Sequence, residues 1–143
     1  MQRLTKKMLV AAATAFVASG PALANDDGKD CSLATLRGHY VFSATGYNIV
    51  AGIPQPKAIV EKIDFNGDGT LFVPAATRSV NGVVVRSLPG GGTYTLDAGC
   101  TGTLTFTDGP GFDIFVAPLG EEYYMIQTTP NTVFQGTVVR LSR

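Results

Sequence analysis

Glu61 is the residue whose type and position in the sequence best suit acid–base chemistry. It alternates with apolar residues, so an extended strand would turn four side chains toward one side: Ile59, Glu61, Ile63 and Phe65. A carboxyl group on that apolar side would lose water, which raises its pKa and suits it to proton transfer. We favour the alternative that Glu61 lies at a rim or pairs with Arg78 or Arg86, because charges near strand ends are usually solvated or paired.

The single histidine, His39, is a second candidate for acid–base work. A catalytic histidine needs an orienting carboxylate and a nucleophile nearby in space, and the sequence specifies neither. His39 alternates with Tyr40 and Phe42, which share the opposite face of the same segment. We therefore expect His39 at the protein surface.

Aromatic and aliphatic residues on the same predicted faces are candidates for lining a pocket. Tyrosines offer an apolar ring together with a hydroxyl group. The residues predicted to contact a ligand are Tyr40, Phe42, Ile63, Phe65, Tyr94 and Tyr124. Core packing would explain most of the tyrosines equally well, so both interpretations stay open.

Two short motifs resemble ion-binding loops but lack the context that such loops require. Asp64-x-Asn66-x-Asp68-Gly69 matches the first half of a calcium loop, but Ala75 stands where the bidentate glutamate belongs. The run of Pro89 and three glycines is followed by a strand-like segment, whereas a phosphate loop needs a helix there. With one His and two Cys in the chain, we predict no metal site and no cofactor.

Short apolar or β-branched runs separated by turn residues account for most of the chain. The turn pairs Asn66-Gly67, Asp68-Gly69, Asn81-Gly82 and Asp108-Gly109 favour tight turns, because Asn, Asp and Gly tolerate positive φ. The pattern predicts strands near residues 37–47, 58–65, 70–73, 82–88, 93–96, 101–107, 112–117, 122–128 and 132–141. We predict an all-β fold, an antiparallel up-and-down meander.

Such a meander leaves two exposed edges unless it closes on itself. We therefore expect a barrel of about eight strands, which is just wide enough to be filled by side chains or to hold one small ligand. A β-sandwich with a similar number of strands is the alternative.

Residues 1–24 have the pattern of a cleaved signal peptide. A basic start (Arg3, Lys6 and Lys7) is followed by the apolar run 8–18 and by Ala-Leu-Ala, with cleavage expected after Ala24. The apolar run is too short to cross a membrane. We therefore predict an exported protein, periplasmic or extracellular and not membrane-bound after cleavage, with residues 25–143 as a single β-barrel domain. Cys31 and Cys100 would form a disulfide in that oxidising environment.

Charge and composition exclude several partners. The 143 residues include 11 basic and 11 acidic side chains, and removal of the signal peptide would leave three more acidic than basic residues. This balance argues against a nucleic-acid partner, which would require a basic face. The sequence does not specify an oligomeric state.

Four parts of the sequence resemble a group of small exported bacterial proteins with no assigned activity. These parts are residues 31–43, residues 65–69, residues 92–96 with 100–104, and residues 126–130. The matching positions are strand and turn residues, so the resemblance implies the fold and no mechanism. In architecture, the pattern is similar to lipocalin-like and allene-oxide-cyclase-like barrels, which bind or cyclise hydrophobic small molecules.

These observations leave three functional hypotheses. The first is a barrel that binds a small hydrophobic ligand in its interior. The second is a structural or interaction module with a filled core and an exposed apolar patch. The third is an isomerase or cyclase acting on a hydrophobic molecule, with Glu61 as the candidate catalytic residue. We rank them in that order. The fold alone does not decide among them, because one barrel architecture can host unrelated functions.

Overall fold

The computed structural model describes residues 30–87 and 89–143, and the predicted signal peptide therefore lies outside the described residues. A short 3-10 helix, Leu33–Thr35, precedes nine strands. The strands are β1 (Arg37–Val50), β2 (Ile53–Asn66), β3 (Thr70–Val80), β4 (Val83–Ser87), β5 (Gly90–Tyr94), β6 (Thr101–Phe106), β7 (Gly111–Val116), β8 (Glu122–Gln127) and β9 (Thr132–Ser142). The described residues contain no helix long and apolar enough to cross a membrane.

Eight of the strands form a closed antiparallel barrel, as predicted. Hydrogen-bonded neighbours follow the order β2-β1-β9-β8-β7-β6-β5-β3, and pairing of β2 with β3 closes the ring. The long strand β3 has two partners on one side: its first half, Thr70–Val73, pairs with β5, and its second half, Ala76–Val80, pairs with β4. The short strand β4 is therefore an addition at one end of the barrel. The sandwich alternative is wrong.

The two ends of the barrel differ. One end, the base, is covered by the 3-10 helix and by the disulfide between Cys31 and Cys100, which confirms the predicted pairing. The other end, the mouth, is formed by the β1–β2, β3–β4, β6–β7 and β8–β9 turns. The β3–β4 turn uses the predicted pair Asn81-Gly82, with φ of 49° and 83°. This left-handed conformation suits a tight hairpin turn.

Side chains alternate between the barrel interior and solvent along each strand. On β1 the buried residues are Tyr40, Phe42 and Ala44, and on β2 they are Glu61, Ile63 and Phe65. These are the faces that the sequence pattern predicted for both strands. The core at the base is built from edge-to-face aromatic pairs, including Tyr40 with Phe65 at 5.3 Å and Phe65 with Tyr94 at 4.9 Å between ring centroids. The base of the barrel is therefore filled.

The base is also tied together by hydrogen bonds from buried tyrosines. Tyr40 donates its hydroxyl hydrogen to the Gly120 carbonyl oxygen at 2.7 Å and accepts a hydrogen bond from Arg140 Nε at 2.8 Å. The Tyr94 hydroxyl lies 2.8 Å from the Leu33 carbonyl oxygen, which anchors the 3-10 helix. These contacts satisfy polar groups that would otherwise be buried without partners.

Candidate functional site

Glu61 lies inside the barrel, because β2 turns every second side chain inward from Lys57 near the mouth to Phe65 at the base. Only 7% of Glu61 is exposed, and it is the one charged residue classed as buried in the described part of the chain. Its register partners on the two adjacent strands are Phe42 on β1 and Ala76 on β3. The strict alternation of β2 thus places a carboxyl group among apolar side chains.

The electrostatics of Glu61 follow from this burial. Loss of water raises the pKa of Glu61 to about 7, and the positive charge of Lys57 only partly opposes the change. Its Oε1 atom has no hydrogen-bond partner among the described residues. The expected ion pair with Arg78 or Arg86 is not formed: the one salt bridge within the described ranges joins His39 and Asp64. The rim position that we favoured for Glu61 is therefore wrong.

A pocket of ≈ 480 Å³ opens at the mouth and is bounded by inward side chains of several strands. We call it the interior pocket. Its apolar wall includes Phe42, Ile59, Val73, Phe106, Phe112 and Phe134. Its polar lining includes Lys57, Glu61, Arg78 and Gln127. The volume lies within the usual range for small-molecule sites, which are mostly apolar with a few polar groups.

Gly90 is one reason why the pocket is hollow. It faces inward opposite Val73, and a Cβ atom at Gly90 would meet no other atom of the described residues within 4 Å. The glycines after Pro89 are thus part of strand β5 in the pocket wall, whereas the predicted strand began only at Thr93. It leaves room beside Val73 that any larger residue would occupy.

Lys57 and Arg78 supply positive charge to the interior pocket. Lys57 donates a hydrogen bond to Gln127 Oε1 at 3.0 Å, and its Nζ lies 4.0 Å from the centroid of the Phe134 ring. Burial lowers the pKa of Lys57, and the nearby charge of Arg78 lowers it further. Arg78 is exposed and faces the same side as its register partner Ile59. The mouth therefore carries two cations above the buried carboxyl group.

Tyr123 is a second buried polar residue in the barrel interior. It is fully buried, and its hydroxyl group has no hydrogen-bond partner within the described ranges. Burial raises the pKa of Tyr123 well above the ordinary value, and the nearby Tyr40 and Glu61 add to the effect. The interior thus contains two polar atoms, on Glu61 and Tyr123, that protein groups of the described chain do not satisfy.

The predicted ligand-contacting residues fall into three groups. Phe42 lines the interior pocket. Tyr40, Ile63, Phe65 and Tyr94 are buried in the core toward the base and are not part of the pocket lining. Tyr124 was assigned to the wrong face: it is 56% exposed on the outside, whereas its neighbour Tyr123 points inward.

Sequence reasoning missed most of the residues that line the pocket, among them Lys57, Gln127, Phe112 and Phe134. Lys57 could have been found, because it continues the alternation of Ile59 and Glu61. The predicted strand began at Ala58, one residue after Lys57 and five residues after the observed start of β2 at Ile53. The other three come from strands far away in sequence, and only the barrel closure brings them to β2.

His39 and residues 64–69 lie outside the interior pocket. His39 is at the surface, as expected, where its Nδ1 lies 2.7 Å from Asp64 Oδ1. Asp68 accepts hydrogen bonds from Thr70 within the β2–β3 turn, so the segment is a hairpin turn. Residues 30–87 and 89–143 contain no cluster of His, Cys, Asp or Glu that could hold a metal ion.

Comparison with known proteins adds no family to this description. No protein-family model matches the chain, and no curated protein or solved structure matches it either. The fold and the interior pocket are therefore the basis for a functional conclusion.

Proposed function

We propose that this protein is an exported barrel that binds a small hydrophobic ligand in the interior pocket. The observation that carries this proposal is a pocket of ≈ 480 Å³ with apolar walls and with Glu61 in its lining. The Glu61 Oε1 atom is buried against the protein and has no hydrogen-bond partner among the described residues. A buried polar atom without a partner costs about 1–3 kcal/mol. Rotation of the Glu61 carboxyl group toward a ligand hydroxyl or carbonyl group would remove that cost, while the apolar body of the ligand would contact the aromatic wall.

Export rests on two observations. Residues 1–24 have the order of a signal peptide, and the Cys31–Cys100 disulfide is typical of proteins that fold in an oxidising compartment. The proposed location is the periplasm or the extracellular space. The lipocalin-like resemblance of the strand pattern agrees with a carrier or sensor of apolar molecules there.

The test is titration with N-phenyl-1-naphthylamine, an uncharged apolar dye whose fluorescence increases in an apolar environment. Wild-type protein should bind the dye saturably at micromolar concentrations. Gly90→Leu should abolish this binding, because the new side chain would point into the interior pocket. Thr93→Leu is the matched control, since Thr93 lies on the same strand but is exposed. Equal binding by wild type and Gly90→Leu would exclude the interior pocket as the site.

An enzyme of the same shape is a second candidate, favoured by one observation. A carboxyl group whose pKa is about 7 is half ionised at neutral pH, which suits a general acid or base. An isomerase or cyclase would use Glu61 for proton transfer and the cations at the mouth for charge stabilisation. Loss of turnover in Glu61→Gln with retained dye binding would support this candidate over simple binding.

An interaction module is the third candidate, favoured by the outer surface of the barrel. Phe115, Tyr124, Ile126 and Val133 are between 44% and 62% exposed on neighbouring strands. Contiguous apolar surface of this kind often marks a protein contact. Sedimentation equilibrium of wild type and Phe115→Ser tests it: self-association that the substitution removes would favour this candidate.

A further inference from the structure

Lys57 and Arg78 form the polar edge of the interior pocket where it opens to solvent. Lys57 belongs to β2 and Arg78 to β3, and both side chains contribute to the pocket lining. Arg78 pairs with Ile59, two residues along β2 from Lys57, so the two cations lie near each other. Their mutual repulsion lowers the pKa of Lys57, in addition to the effect of its burial.

The charge of these two cations is not balanced within the pocket. Glu61 is the one acidic residue in the pocket lining, and it forms no salt bridge with either cation. The Lys57 ammonium group has three hydrogens, and one of them is donated to Gln127. Donors therefore remain on Lys57 and on the Arg78 guanidinium group, at the point where a ligand would enter.

We propose that the ligand is an elongated organic anion. Its anionic group contacts Lys57 and Arg78, its apolar body fills the interior pocket, and a hydroxyl group at its far end reaches Glu61. Lys57 and Glu61 are four residues apart on one strand, or roughly 13 Å between Cα atoms. This inference rests on the proposed binding function and specifies the chemical class of the ligand.

The experiment compares two molecules that differ at one end only. These are 10-hydroxydecanoate and 1,10-decanediol, each tested by displacement of N-phenyl-1-naphthylamine at pH 7 and low salt. Both have a hydroxyl group for Glu61, but only the first has a carboxylate. The hydroxyacid should bind about tenfold more tightly, since hydrogen bonds to charged groups contribute more than neutral ones. Its advantage should shrink at high salt, because the cations at the mouth are partly exposed.

Variants test whether the two cations cause this preference. Lys57→Met with Arg78→Met should bind the hydroxyacid and the diol equally. Lys62→Met is the matched control, because Lys62 lies on the same strand and is exposed on the outer face. Wild type should bind decanoate less tightly than the hydroxyacid. Glu61→Ala should bind these two molecules equally well, because the partner of the hydroxyl group is gone.

The possible failures are distinguishable. Equal displacement by hydroxyacid and diol, with no salt dependence, would overturn the anion inference and leave the binding function intact. Retention of the hydroxyacid preference in the double variant would also overturn it. Absence of dye binding to wild type would instead refute the proposed function itself. The salt comparison on wild type needs no variant, so a double variant that failed to fold would not remove the test.

Discussion

Lys57 and Glu61 lie four residues apart on the inward side of β2 and form no ion pair. Lys57 turns to Gln127 on β8, at 3.0 Å, and to the ring of Phe134 on β9. Glu61 remains among apolar neighbours with its Oε1 unpartnered in the described part of the chain. The two residues therefore give the pocket a cation near solvent and, deeper inside, an acid that exchanges its proton near neutral pH.

Protein stability should fall as the pH rises from 5 to 8, because of Glu61. Its pKa is about 7 in the folded protein and 4.5 as the reference value, so the folded state holds the proton more strongly. The charged group that acts on it is Lys57, which only partly opposes the effect of burial. Below pH 4.5 Glu61 is protonated in both the folded and the unfolded state, so it does not lower the free energy of unfolding. Above pH 7 Glu61 must ionise inside the barrel, which lowers the free energy of unfolding by about 3 kcal/mol.

Urea unfolding of wild type and Glu61→Gln at pH 5 and pH 8 measures this penalty. Glu61→Gln should be more stable than wild type at pH 8, and the difference should be much smaller at pH 5. Glu121→Gln is the control, because Glu121 is exposed. A stability difference between Glu61→Gln and wild type that does not change with pH would contradict the raised pKa.

Removal of the disulfide should destabilise the base of the barrel. Cys31 and Cys100 are separated by 69 residues, and a loop of that length predicts a stabilisation of about 4 kcal/mol through the unfolded state. The double variant Cys31→Ser with Cys100→Ser should lose an amount of this order in chemical unfolding. Wild type in reducing buffer should show the same loss, which separates the bond from the effect of the serines.

Tyr40→Phe should cost about 1–3 kcal/mol, because it leaves the buried Gly120 carbonyl oxygen without its donor. It also removes the acceptor of the Arg140 Nε hydrogen bond. Tyr124→Phe is the matched control: Tyr124 is largely exposed and should tolerate the change within about 0.5 kcal/mol. Thermal unfolding of both variants gives the comparison, and equal losses would refute the structural role of the Tyr40 hydroxyl group.

Gly46→Ala should destabilise the barrel by about 3 kcal/mol, because β1 and β9 approach each other closely at this position. A Cβ atom at Gly46 would overlap the Val133 carbonyl oxygen. Gly90→Ala serves as the comparison, because a Cβ atom there meets no atom of residues 30–87 and 89–143 within 4 Å. Similar melting temperatures for the two variants would show that β9 can move away from β1 at little cost.

The barrel could be predicted because turn chemistry and alternation agree over most of the chain. Asn81-Gly82 and Asp108 adopt the positive φ expected of them, and they delimit the strands on either side. The β1–β2 turn was not predicted, because Ala51 is an unusual residue for its φ of 50°. Pro54 and Pro56 lie in the same part of the chain, and proline is disfavoured inside a sheet because it cannot donate a backbone hydrogen bond. They are tolerated because β3 pairs with β2 only from Lys57 onward, so this part of β2 has one free edge.

The candidate site was only partly predictable, and the reason is geometric. Alternation with Ile59 and Ile63 placed Glu61 on the inward face, but whether that position was solvated depended on the strands around it. The adjacent Tyr123 and Tyr124 illustrate why the inward face of β8 was assigned wrongly, because a shift of one residue exchanges the two faces of a strand. The pocket residues from β8 and β9 could not be assigned, because pairing across the barrel closure leaves no local pattern in the sequence.

The divided pairing of β3 has a mechanical consequence. In the part of the chain that the structure describes, strand β4 pairs with β3 alone, whereas the first half of β3 is held within the closed ring. Separation of the five residues of β4 from β3 would widen the mouth without breaking a strand pair of the eight-stranded barrel. Ligands of different widths could thus enter through movement of β4 alone, while the base, held by the Cys31–Cys100 disulfide, keeps its shape.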